Sequence, residues 1–272
     1  MVRNSELNNK EIKKGLYLVS TPIGNLGDIT LRAIDILKRS NYILCEDTRV
    51  SKILLDKYFI KSKIISNHKF NEKKNITKIL ELLKSGSIVS IISDAGTPVL
   101  SDPGNIIVNE CVKQGYNVFT VPGPSSITAA VSLSGFGDKF LFYGFLPKTA
   151  NELNTLLKKL KIETFSLVFF ISAVKVNFYI KAFKKFFSKR NIFIAREMTK
   201  KHETYYRDSL ENIKLFKNIL KGELTIVMSP KTNSELPTID LGKIEKQVLK
   251  YLKSYTVKDV VELMSQKEKI SK

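Results

Sequence analysis

The fold is decided by the stretch Ser87 to Gly104, which reads SIVSIISDAGTPVLSDPG. Its apolar run, Ile88 to Ile92, predicts a buried strand, and two acids, two prolines and two glycines follow within twelve residues. Prolines fix φ and glycines admit conformations closed to other residues, so the loop is expected to be preorganised. The alternative is a purely structural loop. Because a plain turn needs only about four residues, the length favours a ligand-binding loop.

Around this stretch, short apolar runs alternate with amphipathic stretches from Gly15 to Ser134. This alternation is typical of βα units around a mainly parallel sheet. In such sheets ligands bind beyond the carboxyl ends of the strands, where the unusual residue clusters of this chain fall. Five strands are predicted here, at Leu16 to Ser20, Tyr42 to Cys45, Lys63 to Ser66, Ser87 to Ser93 and Asn117 to Val121.

A second unit begins near Lys139, and its sheet is expected to be mixed. After it the chain is polar and irregular from Lys231 to Pro237, and two short amphipathic helices follow, the second capped by Thr256. We therefore expect an N-terminal extension (1–14), two α/β domains (15–138 and 139–230), and a linker with a helical appendage (231–272). The predicted strands of the second unit are Leu141 to Phe145, Phe165 to Ile171, Asn191 to Arg196 and Leu224 to Met228; the predicted terminal helices are Lys243 to Lys253 and Val257 to Gln266.

Two further clusters follow predicted strands. Ser20 to Asp28 makes a glycine-permitted turn, and Asp28 is expected to cap a helix that starts near Thr30. In Val121 to Ser126, Pro124 suits a first helical turn, and the free amides and serine hydroxyls there could hold a carboxylate or an adenine edge. A plain helix start is the alternative. No GxGxxG or GxxxxGK[ST] occurs, which disfavours an ordinary dinucleotide site or a P-loop.

Charge narrows the class of partner. The 272 residues include 45 Lys and Arg against 26 Asp and Glu, a formal net charge of +19. Such an excess favours a polyanion such as nucleic acid. The competing explanation is a compositional bias that scatters lysines without forming a binding face, since the excess shows no clustering along the chain.

Other compositional features exclude several classes. The N-terminus lacks the apolar core of a secretory signal, and the longest apolar stretch, Phe165 to Ile171, is far below the roughly 20 residues of a membrane helix. We expect a cytoplasmic protein with reduced thiols and no membrane partner. No metal site is expected either, because the chain offers only Cys45, Cys111, His68 and His202, without ligand spacing.

Taken together, the clusters resemble the tetrapyrrole methylase family, and more closely its ribosomal RNA branch. The resemblance covers most of the chain, with weaker matches at His68, Asn71, Glu72 and Lys221 to Glu223. Its most specific motifs are Leu16 to Leu26, Cys45 to Arg49, Ser93 to Gly104, Gly144 to Pro147 and Ala195 to Lys200.

The resemblance implies a two-domain α/β fold of class III S-adenosylmethionine methyltransferases, with a parallel-sheet N-terminal domain and a mixed-sheet C-terminal domain. It also implies a homodimer that binds S-adenosylmethionine in a cleft between the domains. By motif, the cofactor-binding residues are Pro22, Asp94, Ala95, Gly96, Thr97, Val99, Ser125, Ser126, Phe170 and Ala195.

The implied reaction is methylation of the ribose 2′-hydroxyl of a decoding-region cytidine in 16S rRNA of the 30S subunit. Such an enzyme must align the 2′-oxygen with the methyl group and help remove its proton. The catalytic candidates are Glu46, Asp47, Arg49 and Asp102. An ion pair of Glu46 with Arg49 that only braces the strand end is the alternative for those two residues. Arg49, Lys148, Arg196 and Lys200 are the candidate RNA contacts, because guanidinium and ammonium groups match phosphate oxygens.

The chain departs from the family at two places. Ile171 to Lys175 stands where the family has an acidic residue, Ser, Pro, His and Arg, and only Lys148 remains of several basic residues after Pro147. These departures concern the RNA contacts of the second domain. Two other functions therefore stay open: methylation of a small tetrapyrrole, and a non-catalytic role in ribosome assembly.

Overall fold

The computed structural model describes residues 12–231 and 241–268. The chain separates into two compact units, Met1–Pro230 and Lys231–Lys272. The first eleven residues of the predicted N-terminal extension, and the predicted irregular segment from residue 232 onward, lie outside the described residues.

The first unit begins with a five-stranded parallel sheet, as the sequence predicted. Its strand order is β3-β2-β4-β1-β5, so β4, the strand of the stretch quoted above, pairs with β1 and β2. The strands are β1 (Gly15–Val19), β2 (Tyr42–Cys45), β3 (Lys63–Ser66), β4 (Ile88–Ile91) and β5 (Val118–Val121). The helices between them are α1 (Leu31–Arg39), α2 (Thr48–Lys57), α3 (Glu72–Lys84) and α4 (Asn105–Lys113).

Both faces of this sheet are covered, which explains its continuous apolar strands. One face packs with α1 and α2 through Tyr17, Val19 and Ile43, and the other face packs with α3 and α4 through Leu16 and Val89. The parallel order places the carboxyl ends of all five strands at one edge.

Two expected helix starts need correction. Thr30, not Asp28, caps α1, since its Oγ1 accepts the Ala33 amide at 3.0 Å; Asp28 ends a short 3-10 turn (Leu26–Asp28). Pro124 lies before helix α5 (Ser126–Ser134), whose N-cap is Ser125, so it is not in the first turn.

The second sheet is mixed, as expected, with the order β6-β7-β10-β8-β9. β6 and β7 are parallel, and the other pairs are antiparallel. Its strands are β6 (Phe140–Phe145), β7 (Ser166–Ser172), β8 (Asn191–Arg196), β9 (Thr204–Ser209) and β10 (Glu223–Met228). β9 was missed by the sequence analysis, because TYYRDS is a largely polar edge strand without a buried apolar alternation.

Alternate residues of the second sheet point to two cores. Phe169, Ile194 and Ile226 pack against α6 (Ala150–Leu160) and α7 (Val176–Phe187). Val168 and Phe193 pack against α5, the helix that follows the first sheet. Helix α5 therefore joins the two sheets within one compact unit.

The second compact unit contains two helices, α8 (Leu241–Tyr251) and α9 (Val257–Glu268). Thr256 caps α9 as predicted, with its Oγ1 2.6 Å from the Asp259 carboxylate and 3.4 Å from the Asp259 amide. Among the described residues, no helix has the length and apolar character needed to cross a membrane.

Candidate active site

The three strand-end clusters meet at the carboxyl edge of the first sheet. Thr21 and Gly96 exchange two backbone hydrogen bonds, of 2.9 and 3.0 Å, which link the loop after β1 to the loop after β4. The Ser20 hydroxyl lies 3.3 Å from the Thr97 hydroxyl, and the Thr97 hydroxyl lies 3.4 Å from the Pro124 carbonyl. These short contacts hold the three loops as one assembly.

A cavity of about 1030 Å³ lies between this assembly and the second sheet. Its first-sheet lining comes from the loops after β1, β2, β4 and β5: Ile23, Glu46, Asp94, Ala95, Gly96, Thr97, Leu100, Ser101, Asp102, Ser125, Ser126 and Ile127. Its second-sheet lining comes mainly from β7, β8, β10 and adjoining segments: Phe145, Leu146, Lys148, Phe170, Ile171, Ser172, Lys175, Tyr179, Ala195, Glu197, Met198, Lys200, Gly222, Glu223, Leu224 and Thr225.

Eight of the ten residues assigned to the cofactor line this cavity: Asp94, Ala95, Gly96, Thr97, Ser125, Ser126, Phe170 and Ala195. Pro22 and Val99 do not. Pro22 is buried. A Cβ on Gly104 would lie 2.9 Å from Val99 Cγ2, so the Val99 side chain faces that glycine. Val99 can thus shape the loop without touching a ligand.

The cavity fits a nucleoside-sized group such as S-adenosylmethionine. Its volume is at the upper end of the roughly 300 to 1,000 Å³ of ligand pockets. Gly96 lines it with φ +81°, and a Cβ there would come within 3.3 Å of Ile23 Cγ2. Both observations favour glycine at this point of the lining.

Three carboxyl groups, those of Glu46, Asp94 and Asp102, face the cavity from the first-sheet side, where the lining contains no lysine or arginine. Burial, then the charge of Glu46, raises the pKa of Asp102 to about 6. Burial, and then the charge of Asp94, raises the pKa of Glu46. Burial likewise raises the pKa of Asp94, although the Asp47 amide donates to its carboxylate at 3.2 Å. The pKa of each of the three carboxyl groups is therefore raised, and that of Asp102 reaches about 6.

Asp47 and Arg49 form an ion pair, and neither residue belongs to the cavity lining. The Asp47 carboxylate accepts from Arg49 Nε at 3.0 Å and from Nη2 at 2.7 Å, and hydrogen bonds from the Arg49 side chain and backbone lower the pKa of Asp47 to about 2. The anticipated ion pair of Arg49 therefore forms with Asp47 instead of Glu46. The Arg49 side chain is 88% exposed, so it remains accessible from solvent.

The loop that carries Asp102 has an unusual backbone. Val99 and Ser101 have positive φ, at 76° and 69°, which is a strained conformation for non-glycine residues and above all for a β-branched one. Buried Glu72 holds the end of this loop, because one of its carboxylate oxygens accepts the amides of Gly104, Ile106 and Ile107 at 3.0, 2.9 and 3.2 Å. Strain on one side of Asp102 is thus opposed by a three-amide anchor on the other.

Lys200, a predicted RNA contact, is neutralised within the cavity lining. Its Nζ lies 3.1 Å from Glu197 and 2.9 Å from Glu223. Burial lowers the pKa of Lys200, but both carboxylates outweigh that effect and raise it. Arg196 lies outside the lining and donates to the Lys221 and His202 carbonyls at 2.9 and 3.3 Å. The predicted phosphate contacts of both residues stay predictions.

Lys148 and Lys175 are the lysines of the lining that form no ion pair within the described residues. Lys175 Nζ lies 3.4 Å from the Lys148 carbonyl. The segment Ile171 to Lys175, which departs from the family, therefore brings the Lys175 ammonium group close to Lys148. The sequence analysis assigned no role to Lys175. Its position four residues after the predicted strand Phe165 to Ile171 was the available signal.

Sequence reasoning also missed most of the second-sheet lining, including Gly222 to Thr225 on and before β10. Lys221 to Glu223 were noted only as a weak match to the family, and no role was assigned to them. The place of Gly222 to Thr225 in the cavity depends on the pairing of β10 with β7 and β8.

The architecture and the cavity agree with the comparisons to known proteins. The family model described as Tetrapyrrole (Corrin/Porphyrin) Methylases matches residues 15–214. The chain belongs to this family. It is an S-adenosylmethionine-dependent methyltransferase, as the sequence resemblance implied.

Curated relatives are similar over most of their length. The ribosomal RNA small subunit methyltransferase I of Thermotoga maritima is 48% identical over 79% of this chain and 98% of its own. The protein of that name from Rickettsia prowazekii is 43% identical over 90% of this chain and 89% of its own. Among solved structures, the uroporphyrin-III C-methyltransferase of Thermus thermophilus, in complex with S-adenyl homocysteine, has a TM-score of 0.53 at 16% identity. The match covers 78% of this chain and 96% of the Thermus thermophilus chain, which shows that the two proteins share a fold.

Proposed function

We propose that this enzyme methylates the ribose 2′-hydroxyl of a decoding-region cytidine in 16S rRNA, within the 30S subunit. The observation that carries the proposal is the 48% identity to a relative named for the small ribosomal subunit, over nearly the whole of that relative. The cavity supports it, because carboxylates from one side and lysines from the other face the same space. The lysines suit phosphates, and the carboxyl groups suit a ribose hydroxyl.

Residues from both sheets would hold the cofactor. The amide-bearing loop at Ala95 and Gly96 and the start of α5 at Ser125 offer backbone donors and acceptors, and Phe170 and Ala195 offer an apolar surface. The bound cofactor supplies an electrophilic methyl group.

Asp102 is the proposed proton acceptor. A base works best when its pKa lies near the operating pH, and Asp102 has a pKa of about 6. Asp47, with a pKa of about 2 and a tight bond to Arg49, is a weak base. Glu46 would then act through its charge, which keeps the pKa of Asp102 raised.

Lys148, and Arg49 from the solvent side, are proposed to contact phosphates next to the acceptor ribose. Both side chains are exposed, and ammonium and guanidinium groups bind phosphate oxygens well.

We also propose a cytoplasmic homodimer, supported by the family resemblance. Light scattering of the purified protein tests the dimer.

The first test is methyl transfer from labelled S-adenosylmethionine to 30S subunits that lack the modification, in parallel with naked 16S rRNA and with uroporphyrinogen. We expect label on a ribose 2′-oxygen of 16S rRNA, located by nuclease mapping. Catalytically inactive protein, prepared as Asp102→Asn, is the matched control for contaminating methylases.

The outcomes separate the candidate functions. Label on a base instead of a ribose would contradict the proposed acceptor. Label only on the tetrapyrrole would favour a small-molecule methylase. Cofactor binding without transfer to any acceptor would favour a non-catalytic role on the ribosome.

A further inference from the structure

The positive charge of the chain is unevenly distributed between the two sheets. Residues 139–230 contain 18 Lys and Arg against 7 Asp and Glu, a net charge of +11. Residues 15–138 contain 14 against 11, a net charge of +3. The excess is therefore concentrated in the half of the molecule that carries the second sheet, contrary to the unclustered distribution inferred from the sequence.

Helices α6 and α7 carry much of this charge on their outer side. Their inner residues, such as Leu157 and Phe183, are buried against the second sheet. We define the basic face as the exposed lysines at and after the outer surfaces of these helices: Lys158, Lys159, Lys161, Lys181, Lys185 and Lys189. Within the described residues none of the six belongs to an ion pair.

The topology connects this basic face with the cavity. α6 and α7 follow the parallel neighbours β6 and β7 and pack in the same core, so the two helices run in the same direction. Lys148 precedes α6 and Lys175 precedes α7, and both line the cavity. With a rise of about 1.5 Å per residue, the lysines extend about 18 Å from the cavity rim along α7.

The lysines of α7 repel one another, although Lys185 lies in the last turn, where the helix dipole favours a cation. Lys181 and Lys185 are four residues apart on one helix, where like charges destabilise the helix, and no carboxylate compensates them in the described structure. A chain of phosphates would relieve this repulsion. The regular single charges of a nucleic-acid backbone match such a row of ammonium groups.

We propose that the basic face binds the sugar–phosphate backbone of the RNA on the strand that leads to the acceptor ribose. This inference rests on the proposed function and deepens it. Lys148 and Lys175 begin the track at the cavity, and the lysines of α6 and α7 continue it. Contacts of this kind position a substrate without reading its sequence, so they act on RNA affinity and leave the chemical step unchanged.

The test compares two triple variants with equal loss of charge. Lys181→Gln, Lys185→Gln and Lys189→Gln neutralise the basic face on α7 and just beyond it. Lys61→Gln, Lys84→Gln and Lys113→Gln remove three exposed lysines around the first sheet. For each protein, filter binding gives the Kd for 16S rRNA between 50 and 200 mM salt, and methyl transfer to 30S subunits gives kcat and KM.

The basic-face variant is expected to raise the Kd and KM for RNA roughly tenfold and to reduce the slope of log K against log salt by about 2 to 3. Its kcat and its affinity for S-adenosylhomocysteine should match the wild type. The control variant should change RNA binding much less. Equal effects of both variants would overturn the proposal, because the lysines would then act only through net charge.

Two further readouts keep the result interpretable. Unfolding in urea shows whether the glutamine variants remain folded, which the helix propensity of Gln favours. If wild-type enzyme binds RNA but methylates none, the proposed function fails, while the comparison of Kd values still decides the role of the basic face. An unchanged Kd for the basic-face variant contradicts the inference in either case.

Discussion

On the first-sheet side of the cavity the lining residues come from loops that follow strands, whereas on the second-sheet side many come from the strands themselves. Glu46 directly follows β2, Asp94 lies three residues after β4, and Asp102 lies further along the same loop. Phe170 and Thr225 lie within β7 and β10. The loops carry the chemical groups, and the strands supply a surface against which a ligand can rest.

The two sides also differ in charge. The first-sheet lining contains three carboxyl groups and no lysine or arginine. The second-sheet lining contains three lysines, of which Lys200 is held by Glu197 and Glu223. This difference suggests a division of labour in which the first side governs the chemical step and the second side governs RNA affinity.

The largest effect is expected at Asp102. Asp102→Asn should lower kcat by roughly 10² to 10⁴-fold, the usual contribution of a positioned base, with little change in the Kd for S-adenosylhomocysteine. In the wild type, kcat should fall as the pH drops below about 6, because the carboxyl group is then protonated. Single-turnover methyl transfer across pH 5 to 8 checks both points.

Glu46→Gln sharpens this prediction. Removing the like charge should lower the pKa of Asp102 and move the acid limb of the pH profile to lower pH. Loss of turnover at every pH in Glu46→Gln, together with a nearly normal rate in Asp102→Asn, would instead identify Glu46 as the base.

A smaller effect is expected from the anchor beneath the first side. Glu72→Ala leaves three amides without their acceptor and should reduce the free energy of unfolding by about 2 kcal/mol, the typical cost of buried unsatisfied groups. Glu72→Gln keeps a carbonyl oxygen and should recover much of the loss. Urea titration measures both, and equal losses in the two variants would argue against the amide contacts as the cause.

The smallest effect is expected for Asp47→Asn. The Asp47 carboxylate already lies outside the cavity lining and pairs with the exposed Arg49. Since exposed ion pairs contribute little to stability, the urea midpoint of unfolding should stay close to that of the wild type, and kcat should change less than about threefold. Steady-state kinetics suffice, and a loss comparable to that of Asp102→Asn would break the division between lining and surface.

The sequence analysis identified more residues of the first-sheet lining of the cavity than of the second-sheet lining. The strand-end loops around Gly96 and Ser125 are local in sequence, and their prolines and glycines mark them without any knowledge of pairing. Gly222 to Thr225 enter the cavity only through the register of β10, which no local pattern encodes. β9 was missed for a related reason, because an edge strand with solvent on one side tolerates polar residues.

Side-chain partners were also beyond local reasoning. The sequence placed Glu46, Asp47 and Arg49 together, but the ion pair considered there was that of Glu46 with Arg49, whereas Arg49 pairs with Asp47. The backbone at the start of α2 explains this pairing, since Asp47 is the N-cap and its oxygen already faces the Arg49 amide at 2.9 Å. The three-amide role of Glu72 likewise depends on α3 and α4 packing side by side.

The position of β10 also matters for folding during synthesis on the ribosome. Among the described residues β10 is the last strand in sequence, yet it lies in the middle of its sheet and pairs with β7 and β8 on either side. Until residue 223 has been synthesised, β6-β7 and β8-β9 are two ribbons with open inner edges. A nascent chain therefore carries the motifs up to Lys200 before it carries Gly222 to Thr225, which complete the lining of the cavity. Chains that end before β10 are expected to expose the inner edges of β7 and β8, which favours aggregation.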